Sequence, residues 1–214
     1  MPARNVKVQR IGRTRPLAPP VLLCVAALVA GCGGSDQGAV EGAGKEAGSQ
    51  PDCFPSCAKV DLTEENLSGA NLKNGDFSGA RLTNVDLSGA NLSDADLHGA
   101  YLRDADLHGS TASGTDFSGA FMSNADLHGS NMADAIFYGA DLHDSDLHDS
   151  DLHSAMMAKV DLTNVDLRGA NLTGVDLTGA DIYESDLAGA TLTNVVWSNT
   201  TCVDGKVRNS ACQR

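Results

Sequence analysis

The sequence predicts an all-β fold, a quadrilateral (four-sided) parallel β-helix solenoid of about seven coils. Three observations predict it. A large apolar residue recurs every fifth position from Leu62 to Trp197, giving 28 centres without a frame slip. A period of five fits neither the 3.6 of a helix nor the 2.0 of an uninterrupted strand. The aromatic centres Phe77, Phe117, Phe137 and Trp197 are separated by multiples of 20, which places them on one side of a coil with four sides.

Residues 1–31 read as an address. Arg4, Lys7, Arg10, Arg13 and Arg15 precede a continuously apolar run, residues 21–30, with no acid among them. That run is too short to span a bilayer as a mature helix and suits the apolar region of a signal peptide. It ends in Leu28-Val29-Ala30-Gly31-Cys32, which resembles the bacterial lipobox. The resemblance implies cleavage before Cys32 and a diacylglyceryl anchor on its thiol. No Arg-Arg pair occurs, which points to the Sec route, and Gly33 rather than Asp follows Cys32, which favours the outer membrane in a two-membrane bacterium. The expected address is therefore the cell envelope, on its extracytoplasmic side. The full chain carries a net charge of −13. Removal of 1–31 leaves 10 basic against 28 acidic residues, a net −18. Residues 32–52 follow as the anchored Cys and a Gly-rich flexible tether with a reach on the order of 25 Å.

The repeats span residues 60–199, between an N-terminal cap, 53–59, and a C-terminal cap, 200–214. Residues two apart in an extended segment point the same way, so Ala70 and Leu72 face inward while Asn71 and Lys73 face outward. The chain then has to turn, since continued alternation would put the next Leu outside. Turn-forming residues stand two past each centre: Gly69, Asn74, Gly79, Asn84, Gly89, Asp94. Four large and four small side chains per coil fill the interior and leave no room for an internal ligand. Ala112 is the undersized centre, and Phe117 in the same coil offsets its volume. At about 4.8 Å per coil the solenoid is roughly 33 Å long.

This Ala-(Asp/Asn)-Leu-x-x unit resembles the pentapeptide-repeat family. The resemblance implies a right-handed quadrilateral β-helix. It also raises a function, since some acidic members antagonise topoisomerases by mimicking DNA.

Each cap holds two Cys: Cys53 with Cys57, and Cys202 with Cys212. An exported chain sits where disulfides persist. The caps lie about 30 Å apart, beyond the ~7 Å Cα separation that a bridge tolerates. Local Cys53–Cys57 and Cys202–Cys212 bridges are therefore expected, with free thiols or a metal site as the alternatives.

Six His, at 98, 108, 128, 143, 148 and 153, all stand one past a centre and face outward. His108, His128 and His148 are 20 apart and share a face with Asp86, Asp106, Asp126, Asp146, Asp166 and Asp186. Asp and His at this spacing are a candidate divalent-cation site, with His108, His128 and His148 as its ligands. The same columns also read as a duplicated Asp-Leu-His unit that keeps the rod soluble. Tyr101 and Phe121, also 20 apart, face outward as a candidate contact patch.

No nucleophile motif, phosphate loop or dinucleotide fingerprint occurs, and the carboxylates have nothing to desolvate them. No enzyme activity and no cofactor are expected. Acidity excludes a nucleic-acid partner. The expected function is an exported, lipid-anchored rod acting as a structural or protein-binding scaffold at the cell envelope. The expected partners are the membrane, through the anchor, and a protein on a solenoid face. Cation binding by the Asp/His columns is one alternative. DNA mimicry is the other, though a DNA mimic must meet its target in the cytoplasm and the signal sends the chain out.

Overall fold

The computed structural model describes residues 47–212. The signal segment, Cys32 and most of the tether lie outside the described residues.

The five-residue unit closes a complete hydrogen-bond account for its backbone, as residues 85–89 illustrate. Val85 N donates to Leu82 O at 3.2 Å, which closes the preceding turn. Asp86 N donates to Glu65 O, Leu87 N to Asp106 O and Gly89 N to His108 O, at 2.7–2.9 Å. These three bonds reach the neighbouring coils. The fifth N–H, Ser88 N, donates to the Asp86 side chain, Oδ1, at 3.0 Å. Buried or half-buried backbone groups need such partners. The Asp or Asn before each centre is thus explained by the N–H two residues on, which an Asx side chain can reach. At the corners, φ is positive at the residue two past the centre, including Gly69 (65°), Asn74 (58°) and Asp94 (58°). A turn of this kind requires φ > 0 there, which selects Gly and Asn/Asp.

Parallel bridges join each residue before a centre to its equivalent 20 residues on, from Ser56↔Asp76 to Asp181↔Thr201. The coil therefore has four corners in 20 residues, and the chain forms a parallel β-helix. Its ladder differs from an ordinary sheet. Each side contributes one bridging residue, because the turn occupies the rest of the unit. Extended strands occur only at the C-terminal cap among the described residues, where β1 (Thr200–Thr201) pairs antiparallel with β2 (Val207–Arg208).

The centres and the small residues two before them form one continuous core, with Leu72, Leu97, Leu127 and Ile182 fully enclosed. Phe117 and Phe137 stack inside it with ring centroids 4.9 Å apart. Some inward small positions carry hydroxyls, and those of Thr115, Ser185 and Thr200 reach carbonyls of the preceding coil. Thr115 Oγ1 donates to Leu92 O at 2.7 Å and Thr200 Oγ1 to Leu177 O at 2.8 Å.

The ends differ from the expected boundaries. Residues 47–52, read as tether, lie against the first coil: Gly48 N donates to Ser68 O and Gln50 Nε2 to Asn71 O. Phe54 packs against the core from the cap. Gly75 occupies an inward slot there because a Cβ would come within 2.6 Å of the Phe77 ring and 2.9 Å of the Phe54 ring. The ladder also runs one unit further each way. Cys57 and Cys202 continue the five-residue frame and are fully buried, so each cap begins inside the core. Disulfides join Cys53 to Cys57 and Cys202 to Cys212, with Cα separations of 5.0 and 5.4 Å. Beyond β1, Arg208 grips Asp204 through two contacts of 2.7 Å and holds its carboxyl far below the usual carboxylate range.

Candidate functional site

With the interior filled by apolar side chains, the groups able to do chemistry lie on the outer faces. Two faces carry the residues singled out in the sequence.

The first face bridges Asp86, Asp106, Asp126, Asp146, Asp166 and Asp186 in register. The rings of His108, His128 and His148 stack along it, with centroids 5.1 and 4.8 Å apart and interplanar angles of 5° and 1°. Each ring is tied to the Asp two residues earlier. Nδ1 lies 2.6 Å from Oδ1 in the His108–Asp106 and His128–Asp126 pairs, and 2.7 Å in His148–Asp146. The imidazole thus plays the part of a Ser hydroxyl in the repeat, whose Oγ also donates to this oxygen, as Ser88 does to Asp86. His98, His143 and His153 make the same contact on other faces. The titration of His108 and His148 is raised, foremost by the hydrogen bond to Asp106 and Asp146 and further by the surrounding carboxylates.

This geometry divides the expected ligands between separate groups. The three rings lie parallel and about one coil apart, so their outer nitrogens point the same way and do not converge on one ion. A metal ion needs its ligand atoms near ~2.1 Å. The groups that do approach one another, within 4.8 Å, are Asp106, His108 and Asp126, and separately Asp146, His148 and Asp166. In the second group Arg168 already holds Asp166, with Nε 2.8 Å from Oδ1. His128 belongs to neither group.

The second face bridges Asp61, Arg81, Tyr101, Phe121, Asp141, Asp161 and Asp181 in register. Tyr101 and Phe121 stack with centroids 5.1 Å apart at 13°. They remain 49% and 46% exposed, so stacking covers only part of them. Arg103 stands exposed two residues past Tyr101. Around the corner, Ile136 bridges Met156, and Tyr138 and Met156 are exposed. Lys159 Nζ lies 2.7 Å from the Tyr138 hydroxyl. Tyr101 and Phe121 stand out in the sequence, whereas Ile136, Tyr138 and Met156 join them only in the fold. A signal for two of these was present. Ile136 and Met156 replace Asp/Asn before a centre, and so give up the side-chain acceptor for the N–H two residues on.

A four-sided coil built from five-residue corners defines a class of solenoid, and the chain's own sequence places it within that class. Pentapeptide repeats match residues 56–89, 90–129, 122–157 and 155–194, in eight copies, so the chain belongs to the pentapeptide-repeat family. No curated protein matches the chain. Among solved structures it is similar to HetL, a pentapeptide repeat protein involved in heterocyst differentiation regulation from the cyanobacterium Nostoc sp. strain PCC 7120. The identity there is 27%, over 72% of this chain and 87% of that one, with a TM-score of 0.33. A pentapeptide repeat protein, Rfr23, from the cyanobacterium Cyanothece 51142 is 31% identical over 52% of this chain and 63% of its own, with a TM-score of 0.38. QnrB1, a plasmid-mediated fluoroquinolone resistance protein, is 18% identical over 70% of this chain and 89% of its own, with a TM-score of 0.42.

Proposed function

We propose that this protein is an exported, lipid-anchored rod that acts as a binding scaffold at the cell envelope. The observation that carries the anchoring is the order basic segment, apolar run, small residues, Cys32 at the N-terminus. Among the described residues no helix is long and apolar enough to cross a membrane; the anchor in this reading is the lipid on Cys32. Action through the faces is supported by the filled core and by the exposed stack of Tyr101 and Phe121. Two disulfides at the ends also suit an oxidising, extracytoplasmic address.

Affinity capture from intact envelopes tests the scaffold. The native protein should retain a discrete protein partner, and Phe121→Glu should lose it while keeping the native melting temperature. Equal recovery with both proteins would remove the aromatic face from the reading.

A second reading has one observation in its favour, the approach of Asp106, His108 and Asp126. In that reading the group takes a divalent cation weakly at the surface. Calorimetry with Zn²⁺ should then give heat that His108→Ala abolishes. Binding should fade on acidification, since the proton competes for the ring. Equal heats in both proteins would leave the column as solvated surface.

A further inference from the structure

We propose that the face running through Arg81, Tyr101, Phe121 and Asp141 is the contact between two copies of this chain, paired antiparallel about a two-fold axis between Tyr101 and Phe121. The proposal rests on the reading that the solenoid works through its faces, and it names the partner.

The repeat itself marks this face. The residue before each centre is normally Asp or Asn, whose side chain accepts the N–H two residues on, as in Asp61 with Thr63 and Asp161 with Thr163. Arg81, Tyr101 and Phe121 are three successive departures on one face, stacked in one ladder. None of the three has a side chain that can accept that N–H. The Tyr101–Phe121 stack holds the rings across the coils but leaves each nearly half exposed. The two rings stand on a face that otherwise carries Asp61, Arg81, Asp141, Asp161 and Asp181. An exposed apolar cluster in a polar rim marks an interaction site.

The order of charge along the face identifies the occupant. On the N-terminal side of the aromatic pair stands Arg81, its side chain 68% exposed. On the C-terminal side stand Asp141 and Asp161. An isologous contact brings one patch against its own copy, so each end must complement the other. Antiparallel pairing about the stated axis sets Tyr101 against Phe121 of the partner subunit. Arg81 then meets Asp141 of the partner subunit, and the same pair forms again by symmetry. A parallel pairing would set Arg81 against Arg81 and Asp141 against Asp141. The charges thus favour the antiparallel arrangement, in which the like-charged pairing is Asp61 against Asp161 of the partner subunit, over the parallel one, which sets every charge against itself. Asp61, at the outer end, is already paired with Arg81 at 3.6 Å.

Sedimentation velocity over a dilution series of the full-length Cys32→Ser protein tests this, because that variant has no lipid to mask its mass. The expected result is a dimer that dissociates on dilution. Arg81→Glu or Asp141→Arg alone should weaken the dimer about tenfold or more, since both symmetric pairs are lost at once. The double variant Arg81→Glu/Asp141→Arg should recover to within about threefold, because the charges exchange ends. Phe121→Glu should be monomeric, and Tyr183→Glu, on the same face but outside the patch, should remain dimeric. Circular dichroism melting separates loss of contact from loss of fold, since all these side chains point outward. A native protein that is monomeric throughout overturns the proposal, as does a dimer indifferent to Phe121→Glu or failure of the charge exchange to rescue. A monomer that pellets with anionic vesicles through Tyr101 and Phe121 would also overturn it, assigning the patch to the bilayer. A monomer that still captures an envelope partner through Phe121 would overturn the dimer and leave the scaffold reading standing.

Discussion

Asp106 shows how much one side chain does in this repeat. Its Oδ1 accepts the N–H of His108 at 3.1 Å and meets the ring Nδ1 at 2.6 Å. Removing its charge should therefore be felt first in the imidazole. In Asp106→Asn, NMR titration should show His108 falling back toward the ordinary imidazole range, while His98, tied to Asp96, stays raised. An unchanged His108 would mean that the surrounding carboxylates set its titration. The pH dependence of stability has two limbs of opposite sign. His98, His108, His143 and His148 are raised, chiefly by the hydrogen bond to their own Asp. Their contribution is full below the unfolded value of 6.5 and is lost as pH climbs through the raised folded values. Asp61 and Asp76 are lowered, foremost by the hydroxyls of Thr63 and Ser78. Their contribution is present above the ordinary carboxylate range and is lost on acidification. Thermal melting should therefore peak at mildly acidic pH, about 5–6, and fall on both sides. The slopes should be shallow, because these groups are solvent-screened.

At the scale of the corner and its rung, geometry makes small substitutions expensive. Gly75 is confined by the rings of Phe77 and Phe54 and by the Leu72 carbonyl, 3.0 Å from an added Cβ. Gly75→Ala should cost about 2 kcal/mol in urea unfolding, as overpacking does. Leu127→Ala, which empties one corner of a fully enclosed rung, should cost about 3 kcal/mol. Substitution of an outward residue such as Thr163 should stay within about 0.5 kcal/mol. The rung was legible in the sequence because every fifth residue from Leu62 obeys one rule, and Phe77, Phe117 and Phe137 mark the period of four corners. The ends were less legible, since chemical type hid register. Cys57 and Cys202 lie five before Leu62 and five past Trp197, and so already stood in the frame, but Cys reads as a cap residue rather than as a core centre. The grouping of the candidate metal ligands was hidden for a different reason. Spacing puts His108, His128 and His148 on one face, whereas the direction of each ring is set by the bond to its own Asp. The patch beside Tyr101 was half visible, because Ile136 and Met156 replace Asp/Asn before centres 20 apart, whereas Tyr138 stands past a centre where many residue types occur.

At the scale of the whole molecule, a solenoid is weakest at its ends, where a coil has a neighbour on one side only. The two bridges close loops with sequence separations of 4 and 10 residues there. Reduction should lower stability by about 2 kcal/mol per bridge. Hydrogen exchange should then show the first and last coils opening before the middle. The address of the molecule rests on a different part of the chain, and it is the claim on which the proposed function depends. Membrane fractionation of cells making the native chain or its Cys32→Ser variant tests that claim most directly. The native protein should pellet with the membranes and Cys32→Ser should move to the soluble fraction. An identical distribution of the two would contradict the lipid anchor.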